Sequence, residues 1–427
     1  MMSRAPTGRG VVEGFAVFVL FLLLSPSILA AGKPDLVEVL YICRWSTWNG
    51  GRRDLLLGAD PCIEVLGVPM VGAFSLWKGT VDATYVNRMM RIYMPRSYEQ
   101  LVMSHDMVVL HDAPCGHQEA AVRFDPRWIH WFAEGVQREG LSLEMWGGDA
   151  SWGGHGEQNY PSWGETELGT ILPFDCLGGY SPVVPRALRP SFPDPQNPFT
   201  RLPWARSPPI MLLNAVSPRQ GAVPVSDAVS GRSRYPWIAM WRVGKGRVLG
   251  ETQVFSSLGC GARMRLEWEW WQDFLIYLVY YGAGKQVPID IFRVHRLRGE
   301  INSYHMKRSM LVSLLEFVEG FGADVGHLYR ELDRIDVSES EAEVLYRKGE
   351  YDSCSAALEG VNQMMDDLGS DAVEVKERTL VWVYLVEWMS VLGVSLMAGS
   401  VLWALMMRRK LYKEIRTTRA GLDSGGG

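Results

Sequence analysis

The run Trp388 to Met407, WMSVLGVSLMAGSVLWALMM, constrains this chain more than any other stretch, because 20 residues pass without a charge. A helix satisfies all its own peptide groups, and about 20 apolar helical residues match the hydrocarbon core of a bilayer. Arg408, Arg409, Lys410, Lys413, Arg416 and Arg419 follow at once. That cluster predicts a cytoplasmic tail by the positive-inside rule, and Trp382, Tyr384 and Trp388 predict an interfacial belt at the outer end. A buried core helix would not meet six cations within a dozen residues. The expected organisation here is a transmembrane helix over 381–407 and a basic tail over 408–427.

Near the start of the chain, Arg4 and Arg9 precede the apolar run Phe15 to Leu24, then Ser25-Pro26 and the small residues Ala30-Ala31-Gly32. The pattern predicts a signal peptide over 1–32, since the run is short for a spanning helix. An uncleaved anchor starting near Val11 is the alternative. The chain is then expected as a single-pass type I plasma-membrane protein of prokaryotic kind, with 33–380 extracytoplasmic. Cys43, Cys62, Cys115, Cys176, Cys260 and Cys354 all fall in that part, where disulfides persist. Six cysteines allow about 15 pairings, and sequence does not choose among them. The absence of a Cys-x-x-Cys pair speaks against a zinc ribbon. A formal net charge of -5 gives no bulk attraction for nucleic acid, which is not expected as a partner.

The exported part reads as one large α/β domain over 33–287 and a helical membrane-proximal region over 288–380. Leu36–Cys43 and Met107–His111 are apolar runs of the kind buried in a parallel sheet. A helical segment is expected at about Asp54–Leu66, with further helices over Tyr98–Met103 and Trp128–Glu139. The last has apolar residues at 128, 129, 132, 133 and 136 and is capped by Gly140. Between Ser181 and Pro236 lie 12 of the chain's 23 prolines, so extended excursions are predicted, with Ile210–Val216 returning to the sheet. Trp237–Val243 and Arg247–Phe255 predict a hairpin around Gly244-Lys245-Gly246, and Leu266–Tyr281 a helix. Beyond Val287, helices are expected over Met306–Val318, Ser338–Lys348 and Tyr351–Leu368. Glu339, Glu341, Glu343, Glu350, Asp352 and Glu359 give them an acidic surface, solvated or open to an envelope partner.

Val108-Val109-Leu110-His111-Asp112, Glu144-Met145-Trp146-Gly147-Gly148 and Thr170-Ile171-Leu172-Pro173, with Gly244 to Val248 and the helix from Trp268, carry a resemblance over roughly residues 36–285. In these the chain resembles the glutamine amidotransferase-like family of the class I superfamily. The resemblance implies a flavodoxin-like three-layer α/β fold with a mostly parallel sheet. It also implies a site at the carboxyl ends of the strands, where such sheets bind ligands. The chain departs from that pattern at the chemistry. An amidotransferase places a cysteine on the turn that here reads Gly147-Gly148-Asp149-Ala150-Ser151, and the downstream His-x-Glu pair is missing, Glu251 being the nearest acid. Hydrolysis of glutamine by the family mechanism is therefore not expected.

Two loops leave the expected ligand edge. In His111-Asp112-Ala113-Pro114-Cys115-Gly116-His117, imidazole, carboxylate and thiolate are donors that zinc prefers. His111, Asp112 and Cys115, with His155 from the second loop, are the candidate metal ligands, and zinc is the candidate cofactor. Cys115 with His117 or His155 is the candidate thiolate–imidazolium pair of a hydrolase. The second loop offers Asp112, Gly147, Gly148, Asp149, Ser151, Trp152 and His155 as ligand-binding residues. Trp146, Trp152 and Trp163 are either faces for a sugar ring or seals on a core edge. Asp149, Glu157, Glu165 and Glu167 are carboxylates suited to sugar hydroxyls. Three functions follow as expectations. One is a non-catalytic surface module binding carbohydrate or an envelope protein. Another is a metal- or thiol-dependent hydrolase. The third is a structural envelope component, assembling as a homo-oligomer.

Overall fold

The computed structural model describes residues 36–44, 57–70, 83–115, 124–154, 161–182, 186–255 and 262–422. The signal-peptide expectation, His117, His155, Glu157 and Cys260 lie outside them. The chain divides into two compact units, 1–298 with 346–351, and 299–345 with 352–427.

The first unit is a mixed α/β structure. Its strands and helices in chain order are β1 (Val37–Arg44), β2 (Ile63–Met70), α1 (Ala83–Tyr93), α2 (Tyr98–Ser104), β3 (Met107–His111), α3 (Pro126–Glu134), β4 (Ser142–Trp146), β5 (Phe174–Ser181), β6 (Arg189–Ser191), β7 (Leu213–Pro218), β8 (Val223–Ser230), β9 (Ser233–Val243), β10 (Gly246–Glu251), α4 (Ala262–Glu267) and α5 (Trp271–Ala283). Eight strands form the main sheet in the order β2-β1-β3-β4-β10-β9-β8-β6. The ladders from β2 to β10 are parallel, and those from β10 outwards antiparallel.

Alternation along β1 assigns its faces. Val37, Val39, Tyr41 and Cys43 join one buried cluster with Phe274, Leu275 and Leu278 of α5. Leu40 and Ile42 join a second cluster with Leu101 of α2 and Ile129 and Phe132 of α3. Successive strand residues point to opposite faces, so helices cover both sides of the sheet. The start of α3 is written in its sequence: Asp125 accepts a hydrogen bond from the Arg127 amide at 2.9 Å, and Pro126 sits in the first turn. A π-turn over Gly135–Glu139 continues it to Gly140, whose φ of +86° closes the helix.

Three expectations are corrected. Ile63–Met70 is not the end of a helix but an edge strand, pairing with β1 from Val37↔Ile63 to Arg44↔Met70. Its short apolar run fits either state by periodicity, and burial beside β1 decides for the strand. Residues 213–218 do not rejoin the main sheet; β7 pairs with β5 in a separate two-stranded sheet. The helix expected from Leu266 to Tyr281 is broken, with α4 ending at Glu267 and α5 starting at Trp271. The hairpin forms as β9 and β10, in register Arg247↔Arg242.

Three long helices complete the chain: α6 (Ile291–Glu319), α7 (Gly326–Arg347) and α8 (Tyr351–Leu422). Within the first unit, Arg298 is buried and donates to Asp60 and Asp273, both at 2.7 Å, while Tyr280 and Tyr346 also donate to Asp60. In the second unit, Leu311, Leu315, Leu332, Ile335, Val361 and Met365 share one core. The 72-residue α8 includes both the expected membrane-proximal helix and the apolar run. It is long and apolar enough to cross a membrane by length and composition, and its most apolar window is unburied.

Candidate functional site

Parallel register brings the ends of four strands to one edge of the sheet. Cys43 lies opposite His111, His111 opposite Trp146, and Gly250 opposite Met145. The residues that follow each strand therefore meet: Arg44 closing β1, Asp112 after β3, Gly147 to Asp149 after β4, and Glu251 closing β10.

Arg44 is the hub. One of its guanidinium nitrogens, Nη2, lies 2.8 Å from Asp112 Oδ2 and 2.8 Å from Asp149 Oδ2. Asp112 is fully buried, and its Oδ1 accepts from the Ala150 amide at 2.9 Å. The Tyr180 hydroxyl donates to Asp149 Oδ1 at 2.6 Å. Burial, with the Asp149 carboxylate beside it, pushes the Tyr180 phenol well above its usual range, so it stays a donor. Breaking a buried pair of this kind leaves an uncompensated charge, which keeps the three loops together.

Glycine is required at the turn. A Cβ on Gly148 would lie 2.3 Å from Asp112 Oδ1, and one on Gly147 2.3 Å from the Gln253 carbonyl oxygen. The Gly148 amide donates to Asn214 Oδ1 at 3.0 Å, and Asn214 Nδ2 returns a bond to the Gly148 carbonyl at 2.9 Å. Asp112 takes a left-handed φ of +51° and Trp152 one of +58°. Aspartate tolerates that region, whereas a bulky side chain there is strained by about 1–3 kcal/mol. Strain of this sort is concentrated on the loops of the carboxyl edge.

Below the turn, Glu251 is buried and accepts from Trp237 Nε1 at 2.6 Å, the Gln253 amide at 2.7 Å and the Gly147 amide at 3.3 Å. The tryptophans of the loop are seals. Trp146, Trp152 and Trp163 are all fully buried. Trp152 Nε1 donates to the Glu251 carbonyl at 3.1 Å, and Trp163 Nε1 to the Ala113 carbonyl at 2.8 Å. No face of Trp152 is open for a sugar to stack on, so of the two expected roles the geometry gives it the sealing one.

The expected chemical groups are differently placed. His111 is buried among Tyr41, Trp146 and Phe255, with its Nδ1 2.6 Å from the Tyr41 hydroxyl. The Cys115 thiol donates to the Pro161 carbonyl at 3.2 Å, and burial pushes its pKa up to about 12. A thiol so held is not a thiolate at neutral pH. Ser151 donates its hydroxyl proton to the Trp146 carbonyl at 2.6 Å. Among the described residues His111, Asp112 and Cys115 do not gather as a set of possible metal donors, whereas the donor atoms of His305, Glu339 and Glu343 in the second unit lie within 4.8 Å of one another. Among the described residues, Cys62, Cys115 and Cys176 are free thiols. Glu167 meets His130 at 3.0 Å instead of reaching the turn.

The arrangement thus unites Asp112, Gly147, Gly148, Asp149 and Ser151 at one edge and adds Arg44, Tyr180 and Asn214, which the sequence reading did not single out. An arginine closing a buried strand was a readable signal for Arg44. Tyr180 and Asn214 arrive on the small second sheet, Tyr180 just before the proline-rich segment and Asn214 within it.

No protein-family model and no curated protein matches the chain. Among solved structures, a cytoplasmic protein of Salmonella typhimurium LT2 is 18% identical, with a TM-score of 0.43, over 58% of this chain and 99% of that one. A second cytoplasmic protein of Salmonella typhimurium is 17% identical, with a TM-score of 0.43, over 57% and 98%. An exo-beta-1,4-mannosidase of Opitutaceae bacterium strain TAV5 is 11% identical, with a TM-score of 0.29, over 57% and 35%. Likeness at these scores carries no inference about this chain.

Proposed function

We propose that the chain is a membrane-anchored, extracytoplasmic module of the glutamine amidotransferase-like, flavodoxin-like type, which binds a ligand at the carboxyl edge of its sheet without hydrolysing it. The observation that carries this reading is the double ion pair of Arg44 with Asp112 and Asp149 across the turn where an amidotransferase has its nucleophile. Catalysis needs a nucleophile and a base poised towards a reacting atom. Here the carboxylates hold an arginine, the serine holds a carbonyl and burial pushes the pKa of the Cys115 thiol up to about 12.

What remains at the surface is hydrogen bonding. The Asp149 side chain is 16% exposed, the most open member of the ion-paired group, and Tyr180 is partly open beside it. A carboxylate already neutralised by arginine, next to a phenol, suits a neutral hydroxyl-rich ligand such as a sugar. The apolar stretch 388–407 of α8 anchors the module, and the cations beyond it hold the tail at the cytoplasmic face.

The test is calorimetric titration of the full-length protein in neutral detergent with a panel of neutral oligosaccharides, for wild type and Tyr180→Phe. Loss of one hydrogen bond worth about 0.5–1.5 kcal/mol should weaken binding up to about tenfold. Saturable binding that Tyr180→Phe and Asp149→Asn both leave unchanged would remove the site from this edge. Ammonia release from glutamine would contradict the non-catalytic reading.

A further inference from the structure

At the amino-terminal end of β10, the far end of that strand from Glu251, a cavity of about 660 Å³ opens between the β9–β10 hairpin and the end of α5. Its size is that of a small-molecule site, roughly 300–1,000 Å³. Arg201, Arg242, Arg247 and Lys285 line it, and no aspartate or glutamate does. Four cations on one cavity stand out in a chain whose formal net charge is -5.

Their placement is costly without a counter-charge. Arg242 and Arg247 are direct cross-strand partners, and neighbours opposite one another in a ladder share a face. Like charges at such positions destabilise a sheet. Part of the charge is answered locally. The Arg247 guanidinium lies over Gly284, where a Cβ would come within 2.4 Å of its Cζ, at the negative end of α5. Arg201 donates to the Pro288 carbonyl at 3.2 Å. Asp194 is near enough to Tyr281 to help burial raise its pKa, and Arg247 opposes it there. Arg242 and Lys285 remain exposed at the mouth. Tyr281 adds a ring surface to the wall, and Met240 and Val287 apolar ones.

We infer that this cavity binds a small organic anion with at least two negative charges on a ring body, of the sulfated or phosphorylated sugar class. Guanidinium groups pair with sulfate and phosphate oxygens in two-pronged fashion, and the Tyr281 ring with the apolar wall takes the ring body. The site is separate from the Arg44 edge and does not depend on what binds there.

The experiment is calorimetric titration of the full-length protein in neutral detergent with three probes: a trisulfated heparin disaccharide, glucose 1,6-bisphosphate, and the unsulfated parent disaccharide. At least one charged probe should bind with unit stoichiometry while the uncharged parent does not, and which one binds identifies the anion. The double variant R242Q/K285Q should weaken that binding at least about tenfold, as loss of charged contacts does. The basic tail is present in both proteins, so the difference reports the cavity. Without probe, R242Q should melt no lower than wild type, because it relieves the Arg242–Arg247 repulsion. Failure of both charged probes, equal binding of the uncharged parent, or equal affinity in the double variant would overturn the assignment.

Discussion

Arg44 joins two carboxylates from different loops through one guanidinium nitrogen, and the consequences of removing it are large. Arg44→Met leaves Asp112 buried and unbalanced, and the expected loss is about 3–5 kcal/mol, read as a lower urea midpoint. Gly148→Ala meets Asp112 atoms at 2.3–2.4 Å, so it should cost about 3 kcal/mol or more and disturb the same ion pair. Cys115, with its pKa pushed up to about 12, should resist iodoacetamide at pH 7 in the folded protein and react on unfolding. Labelling of native Cys115 at neutral pH, mapped by mass spectrometry, would restore the thiol hydrolase as a reading. Asp112 and Gly148 were legible in the sequence because a strand running into a short loop fixes where its next residues lie. Asn214 lies 66 positions from its partner Gly148, and only the folded topology brings them together.

At the scale of elements, legibility followed burial and period. Met107–His111, buried on both faces, and the β9–β10 hairpin around its glycines could be read directly. Strand β2 could not, since an apolar run of this length suits a helix or an edge strand until its neighbour is known. The membrane-proximal helix and the apolar run turned out to be one element, because nothing between Leu368 and Trp388 breaks the helix. That continuity frames a topological prediction. In sealed, right-side-out vesicles, a cysteine-reactive, membrane-impermeant label should reach a cysteine introduced at Ser340 and not one introduced at Tyr412. Labelling of both before lysis would place α8 outside the bilayer.

Across the whole molecule, stability should depend on pH through Glu144, which sits fully buried in the main sheet. Burial raises its pKa to about 8, against the partial relief of a 2.7 Å hydrogen bond from Trp146 Nε1. The folded chain then binds a proton that the unfolded chain releases above pH 4.5 or so. Stability from this group is therefore fully present below that pH, falls by up to about 1.4 kcal/mol per unit as pH rises towards 8, and is level beyond. The difference between wild type and Glu144→Gln in melting temperature, taken from pH 5 to pH 8, isolates the effect. Wild type should lose ground to the variant as pH rises. Whether the carboxyl edge holds its ligand intact is read by native mass spectrometry of the full-length protein after prolonged incubation with neutral oligosaccharides. An adduct of unaltered mass that Tyr180→Phe diminishes is expected, with no shortened sugars in solution. Shortened sugars that appear with wild type and vanish with Asp149→Asn would contradict it.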